Sequence, residues 1–172
     1  DKNGGFFIGG EDGEKLIVRS KDSYDSAIPS GNSVAVMNLF RLGKMTGETK
    51  WTELSEKTLR AFTNQAIQSP TGYAYMITGF MFDFKNPKEL VITANSFDKK
   101  TEEMVQMIRN HYSPNKIVLF KDLSKTNDID KMIPWLSNHS TINNKTTFYV
   151  CENFTCKRPT TNIKTVLNFL DD

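Results

Sequence analysis

At Lys85-Asn86-Pro87-Lys88 the hydrophobic pattern of the chain changes period, and no other feature limits the fold as much. Pro87 offers no backbone donor and pushes Asn86 out of the helical region, so a helix cannot run through the junction. Before it, apolar residues recur at helical spacing. After it, they come in short β-type runs around one helical pattern. Two parts are therefore expected, a helical one over residues 1–84 and a small α/β one over residues 85–172.

In the first part, Val34, Val36, Met37, Leu39, Phe40, Leu42 and Met45 surround nearly the whole of a helix that Gly47 ends. Trp51, Leu54, Thr58, Ala61, Phe62 and Ala66 then share one helical face, with Glu53, Glu56, Lys57 and Arg60 opposite. Pro70 and Gly72 break the chain, and residues 73–84 are again apolar on all sides. The order buried, half-exposed, buried is what an α/α barrel produces, and a plain helical bundle fits the same pattern. Ahead of these helices, residues 4–8 and 14–19 favour β structure. Asp12-Gly13 between them supplies a tight turn, so an antiparallel hairpin is expected.

In the second part, Leu90-Val91-Ile92 and Ile117 to Phe120 flank a helix over residues 99–111 with Met104, Val105, Met107 and Ile108 inward, which is a βαβ unit. A weak helix over 128–136, a strand over 147–150, and a closing helix capped by Thr160 or Thr161 complete it. The class is α+β, with a mainly parallel sheet of about three strands.

A chain of 172 residues with 38% hydrophobic content builds its core without staples. Its 22 basic and 20 acidic residues are interspersed, so a net charge of +2 creates no field that would draw in nucleic acid or a membrane surface. No apolar run approaches the roughly 20 residues of a membrane span. With no secretory signal pattern and only two cysteines, a reducing, cytoplasmic setting is expected. The start at Asp1 without Met suggests a piece of a longer polypeptide.

Candidate chemistry is concentrated at two places. In residues 22–33, Asp22 and Asp25 precede Pro29, Ser30, Gly31, Asn32 and Ser33 at the mouth of the first helix. Two carboxylates there fit acid, base or hydroxyl-anchoring work on a polyol or sugar, with Ser30 and Asn32 orienting and Phe6 or Phe7 stacking on the ring. The simpler reading is a loop in which Asp22 and Asp25 only satisfy backbone N–H groups and Ser30, Asn32 and Ser33 only cap the helix. At the end of the third strand, Cys151 and Cys156 are spaced C-x4-C, and structural, redox and half-metal-site roles all remain open. His111 and His139 occur singly, without a partner at ligand spacing, so no metal site is expected. Residues 93–98 lack the glycines of a phosphate loop, and no nucleotide or other cofactor is implied.

Together, Gly4-Gly5-Phe6-Phe7, residues 12–19, residues 21–33 and the tail Tyr149-Val150-Cys151-Glu152-Asn153-Phe154-Thr155-Cys156-Lys157-Arg158-Pro159 resemble the C-terminal part of the spermatogenesis-associated, thioredoxin-domain-containing protein family. The resemblance runs over essentially the whole chain. It implies that residues 1–84 hold the last hairpins of an α/α toroid related to N-acylglucosamine 2-epimerases and six-hairpin glycosidases, and that residues 85–172 are an α/β tail. It also implies a missing N-terminal partner region, including a thioredoxin-like domain whose cysteine motif is not Cys151 and Cys156. The chain departs from the family pattern at Ile8 and Ser26, where Asp and Gly are usual. The first departure removes a carboxylate from the pocket rim. Two functions follow as expectations: a non-catalytic scaffold or interaction part, or the remnant of a carbohydrate-active site around Asp25 and Asn32. Helices stripped of covering hairpins would also make the chain self-associate.

Overall fold

The computed structural model describes residues 1–14, 17–152 and 155–171, leaving aside the side chains of Thr126 and Asn127. The chain divides into two compact units, Asp1–Lys44 with Glu48–Lys85, and Met45–Gly47 with Asn86–Asp172.

The first unit is helical. Helix α1 spans Gly31–Thr46, α2 Thr49–Gln68 and α3 Ala74–Phe84, with a 3-10 turn over Pro70–Tyr73. Gly47, at φ 75°, takes the left-handed conformation that ends α1. Val36, Leu39 and Phe40 of α1, Phe62 of α2 and Met76 and Phe82 of α3 form its core. Gly79 lets α3 approach α1 closely, since a Cβ there would press on Val36. Ser55, wholly buried on α2, donates from Oγ to the Val36 carbonyl at 2.8 Å. Helix α3 is less covered than its composition predicts: Phe80 and Phe84 are 47% and 68% exposed.

The expected N-terminal hairpin is not seen among the described residues. Lys15 and Leu16 of its second run lie outside the described residues, and the remaining described residues of both runs carry no strand. Gly4 and Gly5 take φ values of 88° and 74°, which bend the chain where an extended strand would start. Ile8 N–H still donates to the Ser20 carbonyl at 3.0 Å, so the segment folds back as an irregular loop. Lys21, paired with Asp1 at 2.6 Å, helps hold that loop.

The second unit carries a four-stranded mixed sheet in the order β2-β1-β3-β4, with β1 at Lys88–Ala94, β2 at Lys116–Asp122, β3 at Thr147–Glu152 and β4 at Thr155–Cys156. The three expected strands are present, and β1 and β2 are parallel across α4, Lys99–Asn110. The β3 strand runs antiparallel to β1, and β4 antiparallel to β3, so the sheet is mixed instead of mainly parallel. The reason is local: the connection from β2 returns β3 to the far side of β1 without a second crossover that would keep it parallel. Asn143 and Asn144, at φ 50° and 57°, supply a tight turn just before β3.

Alternation along the strands builds three layers. Leu90 and Ile92, Phe148 and Val150 point to one face, covered by Val105 and Ile108 of α4 and by Val166 and Leu170 of α6, Ile163–Asp171. The opposite face is covered by α5, Thr126–Met132, and a 3-10 turn at Pro134–Asn138. There Lys121, 2% exposed, pairs with Asp130 of α5 at 3.0 Å and donates to the Leu136 carbonyl at 2.7 Å. At α6 the cap is Asn162, whose Oδ1 accepts from Lys164 N–H at 3.0 Å. Thr160 is instead bridged to Phe148 as extended backbone.

Candidate functional site

The mouth of α1 is assembled by three side chains. Ser30 is its cap, with Oγ accepting from Ser33 N–H at 3.2 Å and donating to Ser33 Oγ at 2.9 Å. Asn32, 3% exposed, is a clamp: Oδ1 accepts from Phe6 N–H at 2.7 Å, while Nδ2 donates to the carbonyls of Phe6 at 3.0 Å and Asp22 at 2.6 Å. It thereby fastens the N-terminal loop to the segment leading into α1. Gly5 fits beside it because a Cβ there would strike the Phe62 ring.

Asp25 joins two helix starts. Its Oδ1 accepts from Ser30 N–H at 2.9 Å, and its Oδ2 from Tyr75 N–H at 2.8 Å and Met76 N–H at 3.4 Å in the first turn of α3. Its own N–H donates to the Gly72 carbonyl at 2.7 Å. Burial pushes the carboxyl pKa up, but hydrogen bonds from Ser30, Ser33, Tyr75 and Met76 together outweigh it and hold the group below its usual 3.8. An acid that donates a proton near neutral pH needs the opposite shift.

Asp22 is exposed, and its Oδ1 accepts from Tyr24 N–H at 3.3 Å. Phe6 is 40% exposed, whereas the Phe7 ring carries the Arg19 guanidinium 4.1 Å and the Lys21 ammonium 5.1 Å from its centroid. The structure therefore brings Phe6, Asp22, Ser30 and Asn32 together and ties Asp25 to them through Ser30. The polar atoms of Asn32 are directed at backbone, and those of Asp25 at backbone and at the Ser33 hydroxyl.

The second place is in the sheet unit. Cys151 of β3 and Cys156 of β4 stand opposite each other in register and form a disulfide, Cys151 being buried and Cys156 exposed. Asn153 and Phe154 between them lie outside the described residues. His139, which ends the 3-10 turn, packs its ring against Tyr149 at 4.4 Å and Trp135 at 5.5 Å. One imidazole nitrogen and the two sulfurs lie within 4.8 Å of one another. Burial lowers the His139 pKa, and the Lys121 charge lowers it further, against the carbonyls of Trp135 and Leu136. Spacing along the chain gave no sign of this trio. The fold creates it by turning residues 140–146 back so that β3 passes beneath the 3-10 turn.

A further opening belongs to the helical unit. A groove of about 670 Å³ is lined by Phe40, Leu59, Ile67, Met76, Ile77 and Phe80, with Glu56, Arg60 and Asp83 also contributing. Ile67 at its edge is 71% exposed. Among the described residues no helix is long and apolar enough to cross a membrane.

No family model matches the chain. It is similar, however, to spermatogenesis-associated protein 20 of Homo sapiens, with 32% identity over 161 residues, 93% of this chain and 20% of that protein. The Rattus norvegicus protein is 31% identical over 159 residues, and the Mus musculus protein 30% identical over 161, each again matched over 20% of its length. The chain thus spans about one fifth of the length of these curated relatives. Along 93% of its own length the chain is thus similar to one part, about a fifth, of a longer spermatogenesis-associated protein.

Proposed function

We propose that this chain is a non-catalytic scaffold or interaction part of a longer protein, and that its helices close a larger α/α toroid supplied by the remainder of that polypeptide. The observation that carries this reading is the open apolar groove, in which Ile67 and Phe80 remain 71% and 47% exposed. A contiguous apolar surface of this kind marks an interaction site. The occupant is argued from length: relatives that match this chain over 20% of their sequence have four fifths of a chain left to supply it. In isolation the same groove makes the chain self-associate.

The test is reconstitution. The chain and the remainder of its parent, produced as separate polypeptides, should form a stable complex, and Phe80→Asp should abolish it while leaving the fold of the sheet unit unchanged. Failure of the wild-type pair to associate overturns the reading. The alternative, a remnant of a carbohydrate-active site, draws support from the exposed Phe6 ring and Asp22 carboxylate flanking Asn32. It is the weaker reading, because Asn32 directs its hydrogen bonds at backbone groups and Asp25 at backbone groups and the Ser33 hydroxyl.

A further inference from the structure

The trio His139, Cys151 and Cys156 has no part in a scaffold that works through the helical unit. We propose that, once the disulfide is reduced, it is a binding site for zinc, with the two thiolates and one imidazole nitrogen as protein ligands and a fourth position open to solvent. Donors around tetrahedral zinc, at bond lengths of about 2.0–2.3 Å, stand roughly 3.3–3.8 Å from one another. The three donor atoms here already lie within 4.8 Å, so separating the sulfurs and a small ring shift complete the set. Two sulfurs and one imidazole select zinc over magnesium, calcium or manganese, which prefer oxygen. Two thiolates also cancel the charge of a divalent cation, so the occupied site brings no net charge to a partly buried position.

The positions are held in advance. Cys151 is buried in a strand paired on both sides, and the Tyr149 hydroxyl fixes the residue after His139, donating to the Ser140 carbonyl at 2.7 Å and accepting from its N–H at 3.2 Å. Among the described residues His139 Nδ1 is buried with no hydrogen bond of good geometry, a deficit that metal coordination or a metal-bound water would remove. Exposed Cys156 gives the cation its entry. The chemistry balances: a dithiol reductant delivers two electrons and two protons to the disulfide and becomes a disulfide itself, and zinc then displaces the two thiol protons. Oxidation of the pair closes the site, so occupancy follows the thiol–disulfide poise.

The experiment uses the full chain and cobalt(II) as a spectroscopic stand-in, with zinc competing for the same site. Protein reduced by a phosphine under inert gas should bind one cobalt per chain, with thiolate charge-transfer absorption and the visible bands of a tetrahedral centre, and zinc should displace it. Oxidised protein should bind none. His139→Ala should weaken binding by more than about tenfold and change the visible bands, with circular dichroism checking that the variant remains folded. Absence of stoichiometric binding to reduced wild type, folded or not, overturns the proposal, as does unaltered affinity and spectrum in His139→Ala. If the variant does not fold, the contrast between reduced and oxidised wild type decides.

Discussion

Replacing Asp25 tests what the mouth of α1 is for. Asp25→Ala removes the acceptor of Ser30, Tyr75 and Met76 N–H, at 2.9, 2.8 and 3.4 Å, and so uncaps the start of α3 while loosening the loop before α1. A hydrogen bond to a charged group contributes about 1.5–3 kcal/mol and a helix cap about 1 kcal/mol. The third contact is long and water partly replaces all of them at a half-buried site, so the expected loss is about 2–3 kcal/mol. Asp25→Asn keeps one accepting oxygen and should lose about 1 kcal/mol. The pH dependence has a definite sign. Because the folded-state pKa lies below the usual 3.8, the contribution is fully present above that value and disappears as pH falls through the lowered one. Asp25→Asn should therefore be less pH-sensitive below about pH 4. Urea unfolding monitored by circular dichroism, repeated from pH 7 to pH 2.5, measures both effects. The reasoning is refuted if Asp25→Ala costs less than about 0.5 kcal/mol, and a parent protein whose polyol turnover vanished in an equally stable Asp25→Asn would restore the catalytic reading.

Two further outcomes follow from the sheet unit. Asp130→Asn leaves the Lys121 ammonium, 2% exposed, with only carbonyl partners among the described residues, and should destabilise by about 3 kcal/mol, whereas Lys121→Met combined with Asp130→Asn should recover most of that loss in denaturant titration. Reducing the Cys151–Cys156 disulfide without metal opens a loop with a sequence separation of 5, so the chain-entropy model gives a loss of about 2 kcal/mol. Adding zinc to the reduced protein should recover stability, which a paired thermal melt would show.

Much of this fold is legible in residue patterns, for reasons that also explain the exceptions. Pro87 and the runs Leu90-Val91-Ile92 and Ile117 to Phe120 mark the change from helices to sheet because local backbone preference and burial agree there. The direction of β3 is not legible, since the run at residues 147–150 suits either pairing and the path of the connection decides. The N-terminal hairpin is misleading for a related reason. Asp12-Gly13 is a good turn signal, but Gly4 and Gly5 bend the backbone, and Asn32, 26 residues away from Phe6, claims its N–H and carbonyl. Asp25 and Asn32 stand out as a pair in the sequence. Their partners, Tyr75 and Phe6, are set by tertiary packing and could not be read locally. The approach of His139 to Cys151 and Cys156 is hidden for the same reason.

The proposal that the groove beside α3 receives the remainder of a longer chain can be measured at one residue. Ile67→Cys places a thiol on its rim, where the native side chain is 71% exposed. Its alkylation rate, read by peptide mass analysis under native conditions, should be fast in a dilute preparation of this chain and strongly retarded in the longer parent polypeptide, with denatured samples reacting equally. Equal, fast labelling in both native proteins would mean that nothing covers the groove, and would contradict the scaffold account.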